Sequence, residues 1–292
     1  MSNSARRSSF GRIVVDMNTQ CDFLLPNGAL PVANRAEVIP NIRRIMNWVR
    51  IERIPVISSL ECHRPGEPLN GFPAHCIDRT SGQKKLPFTL MPRRIVLHGD
   101  NTLDLPHEPL RRYQQIIFTK RNQDFLSNPK ADRLINATHS RYMIVFGVLA
   151  EQCVKSAVLA FLARRRPVAV VTNACGYWCA SDAELAFRQM AAKGAVLVTA
   201  EDLLSGVVDE RLNALLPEST EVEEEPSLLS RAPTNGRGNG KARYTRPDAT
   251  SNGKRHNERS AARHADIVPS PPHKQHTPAA SPCSHKTHRG PV

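Results

Sequence analysis

The chain has 292 residues, 40% hydrophobic and 23% charged, and its 40 Lys and Arg against 27 Asp and Glu give a formal net charge of +13. It contains no run of about eighteen apolar residues, which argues against a membrane-spanning helix, and residues 1–12 lack the apolar core of a secretory signal, so a cytoplasmic protein is expected.

Short, β-branched apolar runs near 12–15, 54–58, 115–119, 142–146, 167–172 and 195–198 predict buried parallel strands. Between them, 34–51 carries Val38, Ile42, Ile45, Met46 and Val49 at helical spacing, and 154–164 and 181–193 read the same way. Ser181 is the expected cap of the last helix and Gly194 its stop. Strands alternating with helices predict a doubly wound α/β fold, a mostly parallel Rossmann-like sheet with helices on both faces. About two hundred residues suffice to bury a full interior. The segment 84–109 is long, rich in Pro and Arg, and reads as a lid or partner surface. Seven cysteines without a close CxxC pair predict reduced thiols at Cys21, Cys62, Cys76, Cys175 and Cys179.

Near residue 217 the composition shifts, which divides the chain into a catalytic domain, 1–216, and a remainder, 217–292. The stretch 217–225 is an acidic linker with Glu218, Glu221, Glu223, Glu224 and Glu225. From Arg231 onward the chain is dominated by Pro, Gly, Ser, Asn, His, Lys and Arg, a composition that cannot bury enough apolar surface to order itself. That stretch, 231–292, holds 12 Lys and Arg against 3 Asp and Glu, so it supplies +9 of the +13. A weak, non-specific polyanion contact is open to such a tail. Tyr244 is its only aromatic, which argues against base stacking, and its six histidines are too irregularly spaced for a metal site.

Three residues carry the chemistry. Cys153 lies in the turn Gly147-Val148-Leu149-Ala150-Glu151-Gln152-Cys153-Val154, between an apolar strand run and a helical run. Free N–H groups and the helix dipole at such a turn favour the thiolate, the nucleophilic form. The strand run 13–15 leads directly into Asp16, and 116–119 into Lys120. Ligands of open parallel sheets bind beyond the carboxyl ends of the strands, so Asp16, Lys120 and Cys153 are placed to share one crevice. Taken singly, each has an ordinary reading: a turn residue, a solvated lysine and a buried small thiol. Together they suit acyl transfer. Cys153 would attack a carbonyl, Asp16 would take the thiol proton and return it to the leaving amine, and Lys120 would stabilise both anions. Backbone N–H groups of the Val148–Cys153 turn would bind the oxyanion.

On these residues the chain resembles the isochorismatase-like cysteine hydrolases, and among them the nicotinamidases. The resemblance covers residues 11–205, through VVDMNTQCDFLLPNGALPV, FTKRNQDFLSNP and GVLAEQCV. It implies an Asp-Lys-Cys triad at Asp16, Lys120 and Cys153. It also implies a cis peptide at Val148–Leu149, with the N–H groups of Leu149 and Cys153 as the oxyanion hole. Isochorismatases proper, which cleave a vinyl ether, generally lack the cysteine, so the likeness is to the amidase side.

A second cluster, Glu61-Cys62-His63 and then Phe72-Pro73-Ala74-His75-Cys76, follows the strand at 54–58. Imidazole and carboxylate together suit Zn²⁺, Mn²⁺ or Fe²⁺. The resemblance implies that Glu61, His63 and His75 hold such a metal, which orients a pyridine nitrogen, and that Phe72 stacks on the substrate ring, with Phe23 opposite. No organic cofactor is implied. Two departures stand out. Glu61 replaces the family's Asp, and the Asp-x-Gln-x-Asp-Phe motif is stretched, because Met17-Asn18-Thr19 separate Asp16 from Gln20.

The expected function is hydrolysis of a small carboxamide through a thioester on Cys153. Nicotinamide comes first among substrates, and other small amides, ureido or carbamoyl compounds follow. The proteins the chain resembles are commonly homo-oligomers. The alternative is a non-catalytic binding module acting through its polyanion-binding tail.

Overall fold

Each of the six apolar runs forms a strand, and a seventh strand joins them. The computed structural model describes residues 9–69, 71–100 and 102–215. Its strands are β1 (Ser9–Met17), β2 (Val56–Glu61), β3 (Arg94–Leu97), β4 (Gln115–Lys120), β5 (His139–Val148), β6 (Val168–Gly176) and β7 (Val196–Val198). They make one all-parallel sheet in the order β3-β4-β2-β1-β5-β6-β7. The acidic stretch and the basic tail at 217–292 lie outside the described residues.

The first strand of the chain is the middle of the sheet. Ile13, Val14 and Val15 alternate between its two faces and all three are fully buried, which is why the run reads as continuously apolar. Strand order reverses at β1: β2, β4 and β3 extend one way, and β5, β6 and β7 the other. That reversal opens a crevice at the carboxyl ends.

The helices are α1 (Cys21–Leu24), α2 (Arg35–Ile51), α3 (Pro109–Arg112), α4 (Pro129–Ala137), α5 (Lys155–Ala163), α6 (Ala180–Ala192), α7 (Ala200–Leu204) and α8 (Val207–Leu215). Helix α2 buries the predicted stripe of Val38, Ile42, Ile45, Met46 and Val49, each worth about 1.5–3 kcal/mol when fully buried. Helix α6 starts one residue before the predicted cap. Its N-cap is Cys179 and not Ser181, and no side chain caps it. Gly194 does end that segment, at φ 101°. Cys21, Cys62, Cys76, Cys153 and Cys175 are free thiols.

The segment 84–109 belongs to the body of the fold. It supplies edge strand β3, which pairs with β4, and it inserts Lys85 into the interior, where Lys85 Nζ lies 2.9 Å from Asp16 Oδ2. Strand β3 escaped the sequence reading because it is four residues long and leaves Val96 41% exposed.

The bond Val148–Leu149 is cis. Just before it, Gly147 sits at φ 123°, and a Cβ there would lie 2.0 Å from the Met17 carbonyl oxygen. Only glycine lets β1 and β5 approach this closely where the site begins.

Candidate active site

Four neighbouring strands, β4, β2, β1 and β5, each deliver one polar group to the carboxyl end of the sheet. Lys120 and Glu61 are the last residues of β4 and β2 and stand opposite each other in register. Asn18 is the first residue beyond β1, held at φ 46°, a left-handed conformation that Asn tolerates. Cys153 lies in a π-helical turn, Ala150–Val154, that follows β5 and leads into α5.

The groups meet. Lys120 Nζ is 2.8 Å from Glu61 Oε2 and 3.4 Å from Cys153 Sγ, and it also donates to the Asn122 carbonyl at 2.8 Å. Cys153 Sγ reaches Glu61 Oε2 at 3.7 Å. Asn18 Nδ2 donates to the same carboxylate oxygen at 2.8 Å, while its Oδ1 accepts from Ser59 Oγ at 2.6 Å. Lys120 and Cys153 are each 3% exposed.

Asp16 is not part of this cluster. Strand β1 runs two residues further than its apolar run suggested, so Asp16 is an internal strand residue opposite Ser58. Both of its oxygens are occupied: Oδ1 accepts from Thr19 Oγ1 at 2.7 Å, and Oδ2 takes Ser58 Oγ at 3.0 Å and Lys85 Nζ. It is fully buried and does not line the pocket that Cys153 faces. The carboxylate beside Cys153 is that of Glu61, and Asp16 lies apart from both. Asn18 was missed, although counting back two residues from Gln20, as Asp-x-Gln requires, lands on it.

Charge and burial oppose each other here. Burial pushes the Cys153 thiol above its ordinary value, the Glu61 carboxylate adds to this, and Lys120 and Asn18 pull it back only in part. That reverses the expectation of a thiol lowered by its turn. Burial would also raise Glu61, but Lys120, His63 and His75 outweigh it and hold the carboxyl well below its usual range. The resting arrangement is thus a thiol beside a carboxylate, with an ammonium touching both.

The other Glu61 oxygen faces two imidazoles. Oε1 is 3.1 Å from His63 Nε2 and 3.3 Å from His75 Nε2. A tetrahedral ion with bonds of about 2.0–2.1 Å sets its donors about 3.3 Å apart, so this spacing fits a first-row divalent cation. His75 Nδ1 lies 2.8 Å from the Pro73 carbonyl, which requires the proton on Nδ1. Burial opposes it, but the hydrogen bonds to Glu61 and to that carbonyl raise the His75 imidazole above its ordinary value, so the ring can donate from Nε2 to the carboxylate, and a bound cation would take the place of that proton. Glu61, His63 and His75, with ligand atoms all within 4.8 Å of one another, are the three residues that could hold it.

A cavity of about 440 Å³ opens above these groups. Phe23 and Phe72 line it, and so does Trp178, which sequence reasoning missed although it follows the carboxyl end of β6. The Phe72 and Trp178 rings are 5.0 Å apart at 35°, and Phe23 lies 5.5 Å from the His75 ring. Leu149 is at the floor beside Cys153, and none of the described residues of 84–109 contributes to the lining. Phe23, Phe72 and Trp178 give the cavity an aromatic wall, and Glu67, Arg121, Asn122, Gln123, Asp124 and Gln152 add polar groups to it beyond the Cys153 cluster.

The family model of the isochorismatase domain matches residues 12–202. The chain is similar in structure to a nicotinamidase/pyrazinamidase from Bacillus subtilis, at 14% identity and TM-score 0.51 over 65% of this chain and 100% of the other. It is also similar to an isochorismatase family protein from Desulfovibrio vulgaris subsp. vulgaris str. Hildenborough (18% identity, TM-score 0.53, 68% and 99% covered). An isochorismatase-like hydrolase from Alkaliphilus metalliredigens shows the same fold (17% identity, TM-score 0.50, 68% and 99% covered). No curated protein matches the chain.

Proposed function

The chain belongs to the isochorismatase family, and we propose that it is a cysteine amidohydrolase that cleaves a small carboxamide through a thioester on Cys153. One observation carries this reading: Cys153 Sγ touches both Lys120 Nζ and Glu61 Oε2 at the floor of an aromatic-walled cavity. The thiol proton passes to Glu61 as sulfur attacks the amide carbonyl, and Lys120 stabilises the thiolate. The backbone N–H groups of Leu149 and Cys153 receive the oxyanion. Glu61 returns its proton to the departing nitrogen as the C–N bond breaks and ammonia leaves. A water molecule then gives its proton to Glu61 and its oxygen to the thioester carbonyl, which releases the acid and restores the thiol.

Nicotinamide is the leading substrate, because Phe23, Phe72 and Trp178 line the cavity and offer faces on which a flat heteroaromatic ring can stack. Other small amides, ureido and carbamoyl compounds follow it. A divalent metal held by Glu61, His63 and His75 would supply a Lewis-acid point for a ring nitrogen. The test is ammonia release from nicotinamide by the purified protein, with and without Zn²⁺ or Mn²⁺, beside Cys153→Ala. Release that vanishes in the variant supports the reading. Silence with nicotinamide and with a panel of small amides refutes it.

A second reading is a binding module of the same fold, and Asn18 favours it, since an amide stands where the family motif places an acid. Tight binding of nicotinamide by both the parent protein and Cys153→Ala, with no turnover by either, would establish that reading.

A further inference from the structure

A second cavity, of about 430 Å³, lies at the opposite end of the sheet, against the amino ends of β1 and β4. Four arginines line it: Arg50 and Arg53 at the end of α2, Arg93 just before β3, and Arg111 in α3. No Asp or Glu is among its lining residues, and Phe10 and Tyr113 add aromatic surface. We propose that this cavity binds a small, multiply charged organic phosphate. The inference is independent of the chemistry at Cys153.

The charges are not neutralised where they stand. Arg50 donates to the main-chain carbonyls of Phe88 and Leu90 and to Asn47 Oδ1, all uncharged acceptors, which orient its guanidinium and leave its charge intact. Among the described residues, the guanidinium groups of Arg53 and Arg93 make no hydrogen bond or ion pair. Only Arg111 has a carboxylate, Glu108 at 3.5 Å, and that pair is exposed to water on both sides, where it contributes little.

The ordinary account of such arginines is favourable interaction with a helix C-terminus. It covers Arg50 and Arg53, which end α2, but not Arg93 and Arg111, which arrive from separate segments of the chain. Arg53 also occupies a left-handed position, φ 54°, where Gly or Asn is the easier residue. Four arginines on one cavity that has no Asp or Glu in its own lining offer guanidinium forks suited to the charge and geometry of phosphate oxygens. Tyr113 and Phe10 offer an apolar wall to whatever organic group the phosphate carries.

The rival source of anion binding in this chain is the basic stretch 231–292. The test separates the two in the full-length protein by calorimetric titration with inorganic pyrophosphate at constant ionic strength. Three proteins are compared: the parent, Arg53→Gln/Arg93→Gln, and Arg243→Gln/Arg246→Gln. Saturable binding that weakens about tenfold or more in the first variant and is unchanged in the second supports the site. Arg53 and Arg93 are exposed, so the ligand-free melting temperature should not move. If it does, Arg93→Lys provides the second reading, because it keeps the charge, loses the fork, and should still weaken binding severalfold. Binding that survives Arg53→Gln/Arg93→Gln undiminished, or is lost only with the tail variant, overturns the proposal. So does the absence of saturable binding to the parent.

Discussion

Replacing Glu61 with Gln separates the roles assigned to the floor of the pocket. The substitution keeps the shape and one oxygen, and it removes the charge that sits 2.8 Å from Lys120 Nζ and 3.7 Å from Cys153 Sγ. Without its proton acceptor, amide hydrolysis should fall by about 10²–10⁴-fold, the usual worth of a general base. The thiol should move the other way. Glu61 is one of the groups that hold Cys153 up, so in its absence Lys120 stabilises the thiolate unopposed and the thiol titrates at lower pH. Alkylation of Cys153 by iodoacetamide at neutral pH should therefore speed up in the variant that hydrolyses slowly. Leaving Lys120 buried without its carboxylate should also cost about 3–5 kcal/mol of stability, toward the low end because the Glu61 side chain keeps 12% exposure. The assays are ammonia release, alkylation rate and urea unfolding on the same preparation. Hydrolysis retained within about tenfold, or alkylation slowed in parallel with hydrolysis, would refute Glu61 as the proton acceptor.

Lys85→Met should destabilise the fold by about 3–5 kcal/mol in urea, because it strands Asp16 in the interior, while the alkylation rate of Cys153 stays unchanged. On acidification, the stability supplied by Glu61 is fully present above its ordinary value of 4.5 and is lost as pH falls through its lower folded value. The melting temperature of Glu61→Gln should thus fall less steeply than that of the parent below that pH. Zinc at a hundredfold excess over its dissociation constant should stabilise the parent by about 2.7 kcal/mol and leave His63→Ala unmoved; equal stabilisation of both would place the metal elsewhere. Trp178→Ala removes one aromatic wall worth about 0.5–1.5 kcal/mol, so KM for nicotinamide should rise by about tenfold at most with kcat little changed.

The sheet was legible because burial on both faces writes continuous β-branched runs, as in Ile13, Val14 and Val15. Lys120 and Cys153 were legible for a related reason, since each sits where an apolar run stops and the next turn begins. Asp16 shows where that rule fails. An apolar run ends where burial by carbon ends, but a strand can carry a buried charge if a partner comes to meet it. Lys85 is that partner, and it lies in a stretch whose local sequence gives no sign of going inside. Glu61 was recognised as a metal ligand but not as the neighbour of Cys153, because only the register of β2 against β4 brings it to Lys120. Trp178 and the arginine-lined cavity depend on distant segments meeting, which no local pattern encodes.

Lys120 and Glu61 end their strands and Asn18 is the first residue beyond its own, so the ladder of the sheet holds the spacing of these three, while Cys153 stands one π-helical turn past β5. No connecting loop sets the distance between Lys120 and Glu61. The link from β2 to β4 already carries an extra edge strand and part of a second cavity, yet Glu61 and Lys120 remain in register. Insertions and deletions in the link from β2 to β4 that spare His63, His75 and Lys85 are accordingly free to remodel the outer surface without moving Glu61 against Lys120. A chain built this way can acquire new recognition loops by drift in length alone, one connection at a time, while the chemistry stays where the strands put it.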